Sequence, residues 1–118
     1  MMKVLKLNNT TSIGDFLSEW IKACNLEQVK KGELFGFVKD GLKLLIANFD
    51  GKIHATDLIC THADADLSTG FFSEEGVRCP LHLSVFNLVN GKPNNLPAET
   101  ALKVYSVKID NNEIFVEV

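Results

Sequence analysis

Two short pairs of metal-binding residues constrain this chain more than anything else in it. Cys60-Thr61-His62 is followed, after sixteen residues, by Cys79-Pro80-Leu81-His82. Each pair presents one thiol and one imidazole from a single loop, and two such loops brought together make a Cys₂His₂ site. Zinc could fill that site, but the common zinc finger pairs Cys with Cys and His with His, whereas both pairs here are mixed. A mixed pair on each loop suits a two-iron cluster, with both thiolates on one iron and both imidazoles on the other.

Around these pairs the chain reads as short strands punctuated by turns. Leu34 to Val38 and Lys43 to Phe49 are β-rich runs joined by Lys39-Asp40-Gly41, a tight hairpin signal. Asp50-Gly51 marks a second hairpin into Lys52 to Thr56, and Asp110-Asn111-Asn112 a third between Val104 to Ile109 and Glu113 to Val118. The two terminal runs alternate apolar and polar residues, as half-buried antiparallel strands do. From Leu58 to Pro97, Gly and Pro break the pattern into loops and very short strands, and both mixed pairs fall there. Ahead of all this, Ile13, Phe16, Leu17 and Trp20 sit at helical spacing, with Thr11 or Ser12 placed to cap. A short helix is expected to end near Glu19, with a first strand, Trp20-Ile21-Lys22-Ala23-Cys24, beginning at Trp20.

A length of 118 residues is room for one domain, and 46% hydrophobic residues can bury a core. Twelve basic against fifteen acidic residues leave a net charge of −3, which argues against a nucleic-acid binder. No apolar run approaches the roughly 18 to 20 residues that span a bilayer, and the start of the chain has no secretory apolar region. A soluble, cytoplasmic protein is expected. Three cysteines at irregular spacing make a poor disulfide framework, so metal binding is the better first reading.

The C-x-H and C-x-x-H pairs resemble the cluster motif of Rieske-type [2Fe–2S] proteins, and the similarity extends beyond them. Trp20 to Leu26 resembles the opening strand of the family's soluble ferredoxins, and Gly51-Lys52-Ile53-His54-Ala55 the strand that leads into the first ligand loop. Phe86-Asn87, Gly91-Lys92-Pro93 and Leu96-Pro97-Ala98 are similar to the segment that returns from the second. The resemblance covers about Trp20 to Val118. It implies that Cys60 and Cys79 hold the buried iron and His62 and His82 the iron nearer solvent. Two neutral imidazoles in place of two thiolates remove negative charge, which places such centres at about −150 to +300 mV against about −400 mV for all-cysteine plant-type centres.

Departures from the family pattern narrow the subclass. Members in respiratory and photosynthetic complexes carry an extra Cys in each loop, joined as a disulfide; the matching positions are Asp64 or Ala65 and Leu81. High-potential members donate Ser and Tyr hydroxyls to sulfur. Ser84 matches the Ser, but Phe86 stands where the Tyr would be, so a potential in the lower part of the family's range is expected. Leu83 replaces the Gly that most oxygenase ferredoxins have after the second ligand His. The string His82 to Asn87 is similar instead to ferredoxins serving toluene monooxygenases, although those carry Trp where Ser84 stands. As apolar groups beside His82, Leu81 and Leu83 are candidates for contact with a redox partner.

Other residues have simpler readings. Cys24 reads as a buried apolar residue of the first strand, and His54 as a packing residue. Asp64, Asp66, Glu74 and Glu75 either steer a basic partner or line solvated loops. The expected fold is all-β: an antiparallel β-sandwich base carrying a small cluster-binding subdomain, about Leu58 to Pro97. Residues 1–19 form an N-terminal extension with a short helix, and residues 20–118 the Rieske domain. The resemblance implies a monomeric electron carrier with one [2Fe–2S] cluster per chain. It would serve a flavin-dependent reductase and a terminal oxygenase, either a ring-hydroxylating dioxygenase or a diiron monooxygenase. With every ligand position filled, it would not be a catalyst itself. The alternatives are the small Rieske subunit of a nitrite-reductase-type enzyme, against which the four ligands count because many such subunits lack them, or a structural zinc module.

Overall fold

Three two-residue turns set the antiparallel order of the chain. The computed structural model describes residues 19–81 and 83–118, and the helix expected before Glu19 lies outside them. Asp40-Gly41 joins β2 (Leu34–Lys39) to β3 (Leu42–Phe49), and Asp50-Gly51 joins β3 to β4 (Lys52–Asp57). Asn111-Asn112 joins β9 (Val107–Asp110) to β10 (Glu113–Glu117). All six turn residues have positive φ, the type I′ geometry whose twist matches that of the strands it connects. The first strand, β1 (Trp20–Asn25), starts at Trp20 as expected.

The strands form three antiparallel sheets, ordered β1-β10-β9, β2-β3-β4-β8 and β5-β6-β7. The run Val104 to Ile109 reads as one strand in the sequence but is two. β8 (Val104–Tyr105) pairs with Ala55 and Thr56 of β4, whereas β9 pairs with β10. The chain changes sheet at Ser106, a step that alternation of side chains does not reveal. Ala23, Cys24, Leu44, Ile46, Ala55, Ile114 and Val116 form one core between the first two sheets, which makes these sheets the base of the molecule. A bulge between Lys22 and Cys24 turns Ala23 and Cys24, consecutive residues, both into that core.

Strand β3 is the wall between this core and a second one. Leu44 and Ile46 face the base core; Leu45 and Ala47, pointing the other way, belong to a cluster with Leu58, Cys60, Leu67, Cys79, Phe86, Leu88 and Leu102. A strand buried on both faces has to read as a continuous apolar run, which is why Leu44 to Ala47 shows no alternation. The second core is roofed by the short strands β5 (Phe71–Ser73), β6 (Gly76–Arg78) and β7 (Val85–Phe86). Gly76 starts β6 with a φ of 135°, and a Cβ there would collide with the Phe86 carbonyl, so only glycine lets β6 lie this close to β7. Among the described residues no helix is long and apolar enough to cross a membrane.

Candidate metal centre

Both mixed pairs stand on loops closed in the same way. In loop one the Cys60 N–H donates to the Ala65 carbonyl at 3.0 Å, just above a bridge between Ile59 and Asp66. In loop two the Cys79 N–H donates to the Ser84 carbonyl at 3.0 Å, just above the Arg78–Val85 pair of β6 and β7. Each loop therefore spans six residues with its cysteine first. The histidine is third in loop one and fourth in loop two, the one difference between C-x-H and C-x-x-H.

The loops divide into a dry side and a wet side. Cys60 is 4% exposed and Cys79 1%, and both belong to the second core. His62 is exposed, as are Leu81 at 69% and Leu83 at 66%. His82 lies outside the described residues. The structure thus brings Cys60 and Cys79 into one buried cluster and leaves His62 of loop one, like Leu81 and Leu83 of loop two, at the surface. This donor chemistry fits a [2Fe–2S] group with its thiolate end screened from water and its imidazole end near it. Ser84 is fully buried, and its Oγ accepts the Ala98 N–H at 2.8 Å. A hydroxyl that accepts one bond still has its own hydrogen to donate. Phe86 is fully buried in the same core and has no hydroxyl to offer.

Polar anchors hold both loops to the body. Asp66 caps a single turn of 3-10 helix, Leu67–Thr69, by accepting the Ser68 N–H at 2.8 Å, so its carboxylate has a structural use besides any charge it shows a partner. Below loop one, the Tyr105 hydroxyl donates to Asp57 Oδ1 at 2.6 Å. Burial, and then that bond to an anion, push the Tyr105 phenol up, so it stays protonated and keeps the leg into Cys60 tied to β8. Cys24 and His54 belong elsewhere. Cys24 is buried in the base core, and burial pushes its thiol up against the opposing pull of Lys22, which keeps it an unreactive apolar residue. His54, half-buried on β4, is held below its usual range by burial and by Lys52.

Of the strap from Asn94 to Thr100, the sequence reading singled out Leu96-Pro97-Ala98 but not Asn95 or Thr100. Its Asn95 side chain and Ala98 N–H bond loop two, and its Thr100 carbonyl accepts the Thr61 hydroxyl of loop one at 2.7 Å. An asparagine next to Leu-Pro signals a loop that needs side-chain hydrogen bonds. Which backbone it bonds is set by the fold.

The family profile described as the Rieske [2Fe-2S] domain matches residues 19–106. The ferredoxin component of a naphthalene 1,2-dioxygenase system from Pseudomonas putida is 33% identical over 99 residues, covering 84% of this chain and 95% of that protein. The ferredoxin of carbazole 1,9a-dioxygenase from Nocardioides aromaticivorans IC177 superposes with a TM-score of 0.76 at 31% identity, over 82% of this chain and 95% of that one. A ferredoxin seen in complex with its oxygenase in a carbazole 1,9a-dioxygenase superposes with a TM-score of 0.78 at 28% identity, over 82% and 91%. With the fold, two buried cysteines on matched loops and these relatives in agreement, the chain belongs to the Rieske [2Fe–2S] family.

Proposed function

We propose that this protein is a cytoplasmic, monomeric ferredoxin. It carries one electron from a flavin-dependent reductase to a terminal oxygenase and is not a catalyst in its own right. The cluster, when bound, would supply a site that gains and gives up one electron with no bond to any substrate. Cys60 and Cys79 hold its inner iron, and His62 and His82 its outer one. The segment from about Leu58 to Pro97 is the cluster-binding subdomain, seated on the base formed by the rest of residues 20–118, and residues 1–19 are an extension.

The observation that carries this reading is the pair of six-residue loops with one closure, each sending its cysteine into the same dry core. Around that site, Leu45, Leu67 and Phe86 keep water from the thiolates. Leu81 and Leu83 offer an exposed apolar surface beside the imidazole end, where an electron has the shortest route to a partner. A ring-hydroxylating dioxygenase is the favoured acceptor, because relatives of this chain are ferredoxin components of naphthalene and carbazole dioxygenase systems. Since all four candidate ligand residues are present, a ligand-less nitrite-reductase-type subunit is the weaker reading. Purified protein should be reddish-brown, hold about two irons and two acid-labile sulfides per chain, and give a Rieske-type EPR signal when reduced. A colourless protein with one stoichiometric zinc would overturn the proposal.

A further inference from the structure

Loop two is held from outside at each of the three residues that follow His82. The Leu83 carbonyl accepts from Asn95 Nδ2 at 2.8 Å, and the Val85 N–H donates to Asn95 Oδ1 at 2.8 Å. Between them, the Ser84 carbonyl accepts the Cys79 N–H at 3.0 Å and Ser84 Oγ the Ala98 N–H at 2.8 Å. The Val85 carbonyl accepts the Asn94 N–H at 2.7 Å. One primary amide thus supplies the donor and acceptor that a residue of a neighbouring strand would supply to alternate residues of this leg. Loop one is tied to the same strap through the Thr61 hydroxyl, which donates to the Thr100 carbonyl at 2.7 Å, and within the loop the Ala65 N–H bonds the Ala63 carbonyl at 2.8 Å.

The difference follows the ligand spacing. In loop one the histidine is third of six residues and is reached from the cysteine through Thr61. In loop two it is fourth, directly before the leg Leu83–Val85 in the sequence. Asn95 is itself exposed and packs in neither core. The bonds its side chain makes to this leg are therefore its evident contribution to the fold.

We propose that Asn95 is a positioning residue for the second ligand loop: its amide pins Leu83 and Val85, the leg that closes the loop opened by Cys79 and that follows His82 in the sequence. This rests on reading the two loops as the cluster site. A ligand on an unpinned leg samples several placements, which an iron-bound imidazole reports as a spread of magnetic environments and a faster loss of iron.

The test compares the loaded wild type with Asn95→Leu, Asn95→Asp and a control, Asn90→Ala. The Asn90 side chain accepts from the Lys92 N–H at 2.8 Å, in the next turn. Three readouts are taken: the EPR line of the reduced protein, the half-life of its visible colour under a chelator, and Tm. Asn95→Leu should broaden the line and shorten the half-life about fivefold to tenfold, the scale of one missing pair of modest hydrogen bonds. Asn95→Asp, which keeps an acceptor for the Val85 N–H, should fall between it and wild type, and Asn90→Ala should match wild type. A lower Tm in Asn95→Leu with an unaltered line and half-life would reduce Asn95 to a structural tie and overturn the proposal. Equal effects from Asn90→Ala would overturn it too. If Asn95→Leu does not fold, Asn95→Asp decides: a wild-type line and half-life there overturn the proposal. Wild-type protein that gives no two-iron signal overturns the ferredoxin reading itself, an outcome separate from all of these.

Discussion

The two cores share strand β3 yet are built on opposite principles. The base core is closed by long strands paired over many residues: Ile46 and Leu44 from β3 meet Ile114 and Val116 from β10 and Ala23 and Cys24 from β1. The second core is assembled from short pieces, with strands of two or three residues, one turn of 3-10 helix and two six-residue loops around Cys60, Cys79 and Phe86. Long paired strands, with the side chains packed between them, specify the first. The second has too little pairing for that, and relies on side-chain anchors such as Asp66, Asn95 and Ser84 and, in the loaded protein, on the metal ligands themselves. The base is therefore expected to be stable with or without the cluster, and the loop region to depend on it.

The strongest way to break that contrast is to exchange cysteines between the cores. Cys79→Ser should abolish the cluster while circular dichroism still shows the β-sheet of the base, and Cys24→Ser should leave iron content and spectrum at wild type. Loss of iron from Cys24→Ser with Cys79→Ser spared would reverse the ligand assignment. Next in size are the core truncations. Phe86→Ala and Ile46→Ala each delete a fully buried side chain and should cost about 3 to 5 and about 2 to 4 kcal/mol in denaturant unfolding. Only Phe86→Ala should also speed cluster loss. Equal cluster lability in both variants would mean that the cores are not separable.

Smaller effects sharpen the division between the dry and wet sides of the site. Leu83→Lys should slow electron transfer to the oxygenase about tenfold in stopped flow, because it puts a charge where the docked partner needs an apolar side chain, while shifting the potential little. Ser84→Ala should do the reverse. A hydroxyl bonded to cluster sulfur stabilises the more negative, reduced state, so its loss should lower the potential by some tens of millivolts, with about 59 mV a tenfold change for one electron. Because Ser84 Oγ also accepts the Ala98 N–H, the same variant should modestly lower Tm. An unaltered potential in a redox titration would remove the tuning role.

The smallest expected effect is on pH and belongs to the base. The His54 imidazole is held below its unfolded value by burial and Lys52, so the unfolded chain binds more protons there than the folded one. Stability contributed by neutral His54 is thus present above an unfolded pKa of about 6.5 and is lost as pH falls below it. His54→Gln should flatten the acid side of the stability profile without changing iron content. An unchanged slope between about pH 5 and 7 would remove His54 from the account.

Much of the base was legible because its information is local. Asp40-Gly41, Asp50-Gly51 and Asn111-Asn112 announce type I′ turns, since few other residues accept positive φ at low cost, and the turns fix which strands are antiparallel neighbours. The two mixed Cys and His pairs were legible for a similar reason: residues two or three apart are close in the fold whatever the rest of the chain does. Tertiary structure decided what depends on partners distant in the chain. The break of Val104 to Ile109 into β8 and β9 follows from which sheet each half meets, and β3 sends Leu45 to one core and Ile46 to the other because both of its faces are covered. Asn95 is the clearest case. Its amide has donor and acceptor at any loop position, and only the folded chain, by bringing residue 95 beside Leu83 and Val85, decides that both are used on the leg after His82.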